Sequence, residues 1–237
     1  MSRIKPVFRC EEHLKAKFSV STCLLTISVG QEVHEGEKFS AILELVEKNF
    51  EACIMMVDDT LQRHTIAIST DEKLGDALMH ASRQAGDAWL LRNQTAYSKI
   101  KIPFMICRWD QWLKHENFAL VRSMLKRCYD DDLSYKDCFD ETIDSFLSRY
   151  SRRDPKKYYV SDERIRALCL EYLLEECAAM CLWSELKCEF EVYPNCRNVA
   201  MEETHRRFIL PHYPELLHAV RVKFKNSRPP AAQKFEF

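Results

Sequence analysis

The sequence predicts a three-layer α/β fold in which a mainly parallel five-stranded sheet is flanked by helices. Thr22–Val29 is a short apolar run that ends at Gly30, as a buried parallel strand does. Glu37–Phe50 then spaces its apolar residues with helical periodicity, and Ala52–Val57 is a second apolar run. Strand, helix and strand in this order form a βαβ unit, and such units build parallel sheets.

The rest of the chain continues this alternation. The further predicted helices are Asp71–Arg92, Trp109–Cys128, Tyr135–Tyr150, Ser161–Trp183 and Ala200–Phe208. The further predicted strands are Ile100–Ile106, Lys187–Tyr193 and Ala219–Phe224. Pro103 fits poorly inside the first of these strands, because proline cannot donate a ladder hydrogen bond. Since open α/β sheets bind ligands at the carboxyl ends of their strands, the functional site is expected there.

Composition limits the class of protein. With 237 residues, 46% of them hydrophobic, and a net charge of −1, the chain fits one globular domain over residues 1–237, with a basic tail from about residue 226. No apolar run approaches the roughly 20 residues of a membrane-spanning helix, and Met1–Cys10 does not resemble a secretory signal. We therefore expect a cytoplasmic protein without a membrane anchor.

Cysteine and glycine usage exclude several chemistries. The eleven cysteines include no Cys-x-x-Cys pair, which favours reduced thiols over disulfides or a metal site. The four glycines cannot form a dinucleotide-binding fingerprint or a P-loop, so no nucleotide cofactor is expected. Residues 204–237 carry a net charge of about +5, which indicates either a polyanionic partner or a solvated basic surface.

Three places in the chain contain candidate catalytic or ligand-binding residues. Glu176 follows Tyr172 by four residues on a nearly all-apolar helix, so the two side chains share a face. A buried carboxylate there costs several kcal/mol unless it is paired, either with an arginine or with the ammonium group of a ligand. Ser28 stands at the carboxyl end of the first strand, and Tyr193 ends a strand before Pro194. The hydrolase motif G-x-S-x-G is absent.

Together, three segments resemble the tRNA-dependent cyclodipeptide synthases, in the branch with Tyr-Pro at the last site. They are Leu25–Lys38, the helix motif Tyr172–Glu176 and Tyr193-Pro194. The resemblance covers roughly residues 20–225 and implies a Rossmann-like domain similar to the catalytic domains of class I tyrosyl- and tryptophanyl-tRNA synthetases. It also implies two aminoacyl-tRNAs as substrates and no ATP. The sequence has neither the His-x-Gly-His nor the Lys-Met-Ser-Lys-Ser signature of a synthetase.

The resemblance also implies residue roles. Ser28 would be the nucleophile that takes the first aminoacyl group as an ester. Tyr172 and Glu176 would bind the α-ammonium of that group, and Tyr193 would position the serine and the acyl group. The amine of the second aminoacyl-tRNA would then give a dipeptidyl-enzyme, which closes to a diketopiperazine. Gln31 replaces the asparagine of the other branch and is expected, with Thr26 and Gly30, to contact the acyl group.

The tRNA would meet basic residues of the predicted helix Asp71–Arg92. The candidates are Lys73, Arg83 and Arg92. Arg152, Arg153, Lys156 and Lys157 and the basic tail could supplement them. Phosphate contacts of this kind would make activity fall with salt. We expect a monomer that needs no protein partner.

Glu191 gives a hypothesis about substrate choice. It lies two residues before Tyr193, so both side chains point to one face of the strand. Glu191 would then line the first aminoacyl pocket, which we expect to be small or polar; the alternative is that a neighbouring arginine neutralises Glu191. Two rival functions also remain open. One is an aminoacyl transferase to another acceptor, and the other is a non-catalytic tRNA-binding module.

Overall fold

A six-stranded sheet runs through the centre of the protein. The computed structural model describes residues 5–70, 72–153 and 162–224, with the backbone alone at 150–153 and 162. The strands are β1 (Pro6–Arg9), β2 (Thr22–Ser28), β3 (Ala52–Asp58), β4 (Phe104–Arg108), β5 (Phe190–Tyr193) and β6 (His218–Phe224). Their order across the sheet is β1-β6-β5-β2-β3-β4. Only the β1–β6 pair is antiparallel among these described strands, so the predicted mainly parallel α/β fold is confirmed.

Helices cover both faces of this sheet. They are α1 (Glu12–Lys15), α2 (Gly36–Asn49), α3 (Arg63–Thr70), α4 (Asp76–Tyr97), α5 (Trp109–Leu113), α6 (Phe118–Asp131), α7 (Leu133–Arg153), α8 (Asp162–Leu182) and α9 (Val199–Thr204). Leu25 and Ile27 of β2 point into one core, which α2 completes. Leu24 points into the other core, which is built around α8. This alternation follows from the two-residue period of a strand.

The number of strands predicted from sequence was wrong. The prediction was five, and the sixth strand is β1 at the antiparallel edge. β1 is only four residues long and includes Pro6 and Arg9, which are typical of an edge and give no continuous apolar run. β4 starts directly after Pro103, whose carbonyl still accepts a hydrogen bond from the Cys53 amide at 2.9 Å. The proline therefore lies just outside the ladder.

Several predicted helix boundaries also differ from the structure. The predicted helix Trp109–Cys128 is two helices, because α5 ends at Leu113 and α6 begins at Phe118. α4 begins at Asp76 after Gly75 and not at Asp71, so it runs from Asp76 to Tyr97. Ser161 and the tail from about residue 226 lie outside the described residues. Within the described part of the chain, every helix is too short or too polar to span a membrane.

Candidate active site

Ser28 and Tyr193 meet at the carboxyl edge of the sheet. Each is the last residue of its strand, and β2 and β5 are neighbours. The Ser28 Oγ and the Tyr193 hydroxyl are 2.9 Å apart, and either can donate. Burial raises the pKa of Tyr193 to about 12, so its hydroxyl keeps its proton at neutral pH. The contact gives the serine hydroxyl a defined position at the sheet edge.

A turn and a histidine position the backbone of Ser28. Gly30 has a φ of +88°, which glycine adopts readily, and the Gln31 amide closes the turn on the Ser28 carbonyl at 3.2 Å. The Ser28 amide donates to His34 Nδ1 at 3.0 Å. Burial lowers the pKa of His34 to about 4, so the imidazole is neutral and Nδ1 can accept. The sequence analysis did not identify His34, because nothing in the local pattern shows that its ring folds back onto β2.

A cavity of about 510 Å³ opens beside these two hydroxyls. The predicted site residues that line it are Thr26, Ser28, Gln31, Tyr172, Glu176, Glu191 and Tyr193. They come from the sheet edge, from the turn after β2 and from α8. The structure thus brings the predicted catalytic residues around one space, although they are spread over more than 160 positions of the chain. Gly30 does not line the cavity, and it contributes through the turn.

Tyr172 and Glu176 face this cavity from α8. The Tyr172 hydroxyl donates to Glu176 Oε1 at 3.4 Å, and Asn198 Nδ2 donates to Oε2 at 3.4 Å. Both are long for hydrogen bonds to a carboxylate. The pKa of Glu176 is raised to about 7, mainly by removal from water and secondly by repulsion from Glu191. Among the described residues no arginine pairs with Glu176, so its carboxylate can receive a cation from a ligand.

The neighbouring Glu175, unlike Glu176, is paired with an arginine and has a lowered pKa. It points away from the cavity and pairs with Arg63 through two hydrogen bonds, at 2.7 and 2.5 Å. Trp109 Nε1 donates to it at 2.8 Å, and His64 Nε2 lies at 3.3 Å. Burial acts to raise the pKa of Glu175, but the bonds from His64 and Arg63 outweigh it and lower the pKa to about 2. The arginine partner considered for Glu176 thus belongs to Glu175.

Glu191 lines the cavity but is neutralised by an arginine. Arg197 Nε donates to Glu191 Oε2 at 2.6 Å, and Arg197 Nη2 lies 2.5 Å from the same oxygen and donates to the Leu217 carbonyl. Both side chains are about 95% buried. The alternative considered from sequence, a neighbouring arginine partner, is therefore what the structure shows. The expectation of a small or polar first pocket stays a prediction. It now depends on the Glu191–Arg197 ion pair and not on a free carboxylate.

Replacing Glu191 with leucine is expected to destabilise the fold by about 3–5 kcal/mol, because Arg197 is left as a buried unpaired charge. The double variant Glu191→Leu/Arg197→Met should recover most of the lost melting temperature, which thermal unfolding measures. In that double variant the first amino acid of the product should shift toward larger apolar side chains. An unchanged product spectrum in a folded double variant would contradict a specificity role for the pair.

One acidic residue at the cavity was missed in the sequence analysis. Asp58 ends β3 in direct register with Ser28. It lines the cavity, is 6% exposed, and its Oδ1 has no hydrogen-bond partner among the described residues. The pKa of Asp58 is raised well above its usual range, mainly by burial and secondly by repulsion from Glu176. Its place at the carboxyl end of a predicted strand was the signal that could have found it.

The predicted tRNA-binding residues lie away from the cavity. Lys73 is exposed but precedes α4 and so is not on the helix, contrary to the prediction. Arg83 of α4 pairs with Asp110, and Arg92 pairs with Glu35 at 2.8 Å. The two arginine side chains are 45% and 54% exposed, and such surface pairs contribute little and exchange partners readily. The side chains of Arg152, Arg153, Lys156 and Lys157 lie outside the described part of the chain.

Solved structures identify the family. A CDPS, that is, a cyclodipeptide synthase, from Fluoribacter dumoffii is 41% identical, with a TM-score of 0.88 over 94% of this chain and 98% of that one. A cyclodipeptide synthase from Candidatus Glomeribacter gigasporarum bound to Phe-tRNAPhe is 16% identical, with a TM-score of 0.69 over 91% and 93%. A Mycobacterium tuberculosis protein, from a class described as related to type I tRNA synthetases, is 10% identical, with a TM-score of 0.63 over 95% of each chain.

These similarities fix the class of protein. The identity and coverage of the Fluoribacter dumoffii structure show that the chain belongs to the cyclodipeptide synthases. The predicted membership of this family is therefore confirmed, and the Tyr-Pro branch stays a prediction. The protein is an enzyme of the aminoacyltransferase class. The two distant structures share the fold. No protein-family model matches the sequence, and no curated protein matches it significantly.

Proposed function

We propose that the enzyme joins two aminoacyl groups, each delivered by a tRNA, into a cyclic dipeptide through acyl-enzymes on Ser28. The observation that carries this proposal is the 2.9 Å contact between Ser28 Oγ and the Tyr193 hydroxyl, at a cavity that also holds Glu176 and Tyr172. A nucleophile, its positioning hydroxyl and a carboxylate for an ammonium group thus share one space. We further propose that the enzyme belongs to the Tyr-Pro branch, which the Tyr193-Pro194 pair supports.

The first step transfers an aminoacyl group from tRNA to the enzyme. Ser28 Oγ attacks the ester carbonyl, the bond from that carbonyl to the ribose oxygen breaks, and the serine proton passes to the leaving ribose oxygen. The neighbouring ribose hydroxyl can relay this proton, so no histidine base is required. His34 Nδ1 does not serve as such a base, because it already accepts the hydrogen bond from the Ser28 amide. Glu176 and Tyr172 hold the α-ammonium, which keeps the acyl group in one orientation.

The second and third steps form two amide bonds. The free amine of the second aminoacyl-tRNA attacks the Ser28 ester carbonyl, which forms the first amide bond, breaks the ester and restores the Ser28 hydroxyl. Ser28 Oγ then attacks the ester of this dipeptidyl-tRNA, and the second tRNA leaves with the serine proton on its ribose oxygen. The dipeptidyl group is then carried on Ser28. The terminal amine of the dipeptide then attacks the remaining ester carbonyl, which releases the diketopiperazine and restores the Ser28 hydroxyl. Tyr172 lies where it could assist the proton transfer of cyclisation, since it lines the cavity beside Glu176.

We propose the exposed side of α4 and the segment just before it as the tRNA contact, with Arg83 and Arg92 of the helix and Lys73 of that segment meeting phosphates. The structure of a relative bound to Phe-tRNAPhe supports an aminoacyl-tRNA as the substrate class. Opening the surface pairs of Arg83 and Arg92 would expose two guanidinium groups at little energetic cost. We further propose that the chain acts as a single-domain monomer.

The variant Arg92→Glu is expected to raise the KM for aminoacyl-tRNA about five- to tenfold, because it replaces a phosphate contact with a charge that phosphate repels. The slope of log activity against log salt should become shallower by about one. Acyl transfer from charged tRNA, measured from low to moderate salt, tests both. Lys126→Glu on α6, where Lys126 pairs with Asp130, is the matched control. Equal effects of the two variants would contradict the α4 surface.

A mass-spectrometric product assay separates the rival functions. Charged tRNAs and the purified enzyme should give a diketopiperazine of defined mass. A linear aminoacyl adduct on another acceptor would support a transferase. The absence of any new product, with tRNA still bound, would support a binding module.

A further inference from the structure

The cavity holds a second carboxyl group for which the proposed mechanism gives no role. Asp58 ends the strand next to that of Ser28 and stands opposite the serine in the parallel ladder. Facing residues of adjacent parallel strands project to the same side of a sheet, so Asp58 and Ser28 project together. Both line the cavity into which Glu176 and Tyr172 project from α8. Asp58 is thus a direct neighbour of the position where the acyl group would be attached.

The surroundings of the Asp58 carboxyl suit a cationic ligand. It is 6% exposed, and its Oδ1 is bonded to no described residue. An unsatisfied buried carboxyl is destabilising, and natural structures seldom keep one without a functional reason. Asp58 and Glu176 line the same cavity, and repulsion from Glu176 contributes to the raised pKa of Asp58. A cation placed between them would relieve that repulsion and satisfy the free oxygen.

The cation that suits this place is a primary ammonium. Two arginines line the cavity: Arg197 is already bonded to Glu191, and Arg149 donates from Nε to the Ser145 carbonyl at 3.2 Å. Among the described residues no group of three or more His, Cys, Asp or Glu side chains is placed to hold a metal ion. An ammonium group has three donors, and Glu176 and the Tyr172 oxygen could accept two of them. Asp58 supplies an acceptor for the third.

We propose that Asp58 is a further substrate-binding residue that, with Glu176, holds the α-ammonium of the aminoacyl group on Ser28. This inference rests on the proposed function, since it requires an acyl group on that serine. Asp58 and Glu176 then approach the ammonium from the sheet and from α8, respectively. Two carboxylates on different elements fix the direction of the Cα–N bond, and therefore the direction from which the second amine can attack the ester carbonyl.

The test compares substrates that do and do not carry the ammonium. A tRNA is charged with the amino acid used first or with the matching α-hydroxy acid, and the initial rate of acyl-enzyme formation is followed by intact-protein mass spectrometry. The wild-type enzyme should prefer the amino acid. In Asp58→Asn this preference should fall at least about tenfold, the size expected for a hydrogen bond to a charged group. The melting temperature should stay equal or rise, because an unsatisfied carboxyl has been removed.

The adjacent Asp59 provides a matched control. It is also buried, but it accepts from the Thr60 amide at 2.6 Å and from Arg108 Nε at 2.7 Å. A Cβ at Gly86 would collide with it, which shows how closely α4 packs on this carboxylate. Asp59→Asn should therefore lower the melting temperature and leave the preference for the amino acid unchanged. A purely structural role of Asp58 would give the same two results.

The other possible results of the Asp58→Asn experiment would each overturn the inference. If the wild-type enzyme forms an acyl-enzyme and Asp58→Asn keeps the full preference for the amine, the inference is wrong and the proposed function stands. If Asp58→Asn instead changes the choice among side chains while keeping that preference, Asp58 belongs to side-chain recognition and the inference is again wrong. If the wild-type enzyme forms no acyl-enzyme with any charged tRNA, the proposed function fails and the inference fails with it. A large loss of stability in Asp58→Asn would assign the residue to folding.

Discussion

Replacing Ser28 with alanine is expected to abolish acyl-enzyme formation and to reduce cyclic dipeptide production by at least about 10³-fold, as loss of a covalent nucleophile does in other enzymes. The fold should survive, because the side chain sits at the cavity wall and its Oγ makes one described side-chain contact, to Tyr193. Intact-protein mass spectrometry after rapid mixing with charged tRNA measures the first effect. Product analysis measures the second.

Tyr193→Phe is the matched control for this result. It removes the hydroxyl that positions Ser28 and keeps the nucleophile, so we expect a partial loss of about ten- to a hundredfold with the acyl-enzyme still detectable. Comparable melting temperatures would show that both variants are folded. A Ser28→Ala protein that still accumulates a covalent aminoacyl adduct would place the nucleophile elsewhere.

Replacing Glu176 with glutamine is expected to slow transfer of the first aminoacyl group about a hundredfold, because the α-ammonium loses its charged partner. The wild-type rate should rise with pH through about 7, where the buried carboxyl loses its proton and becomes able to bind a cation. In Glu176→Gln this rise should disappear. A pH profile of single-turnover acylation measures both effects, and an identical profile in the variant would contradict the assignment.

The stability of the two adjacent glutamate variants should change in opposite directions. The pKa of Glu176 is raised in the folded state, so its contribution to stability is full below about 4.5 and is lost as pH rises through about 7. Glu176→Gln should therefore gain stability over wild type as pH rises from 5 to 8. The pKa of Glu175 is lowered to about 2, so its contribution is present above about 4.5 and is lost as pH falls through about 2.

Glu175→Gln should accordingly lower stability at neutral pH by about 3 kcal/mol, because Arg63 loses a buried partner. Melting temperatures of the two variants at pH 5 and pH 8 test this pair of predictions. Destabilisation of both variants at pH 8 would show that Glu176 serves the fold and not a ligand.

The strongest sequence patterns predicted the central part of the fold. β2, α2 and β3 lie within one or two residues of their predicted bounds, because a continuous apolar run and a clear helical period each allow one structure. α3 was missed, since its eight residues, Arg63–Thr70, mix β-branched and polar side chains and lack a clear apolar stripe. Short elements of this kind take their structure from tertiary packing.

The candidate site could be predicted in its main residues but not in its pairings. Parallel strands place their carboxyl ends at one edge, so Ser28 and Tyr193 could be brought together from their positions at the ends of strands. Which glutamate of the Glu175–Glu176 pair meets an arginine could not be predicted, because Arg63 lies 112 residues away in sequence. The roles of His34 and Asp58 likewise depend on contacts that form only in the folded chain.

The most direct test of the proposed function is the product of the enzyme in cells. The wild-type chain and Ser28→Ala are expressed in parallel, and the culture medium is scanned by mass spectrometry for all diketopiperazine masses. The proposal predicts new cyclic dipeptides with the wild-type chain that are absent with the variant. Equal spectra from the two cultures, with both proteins folded and present in equal amounts, would contradict it.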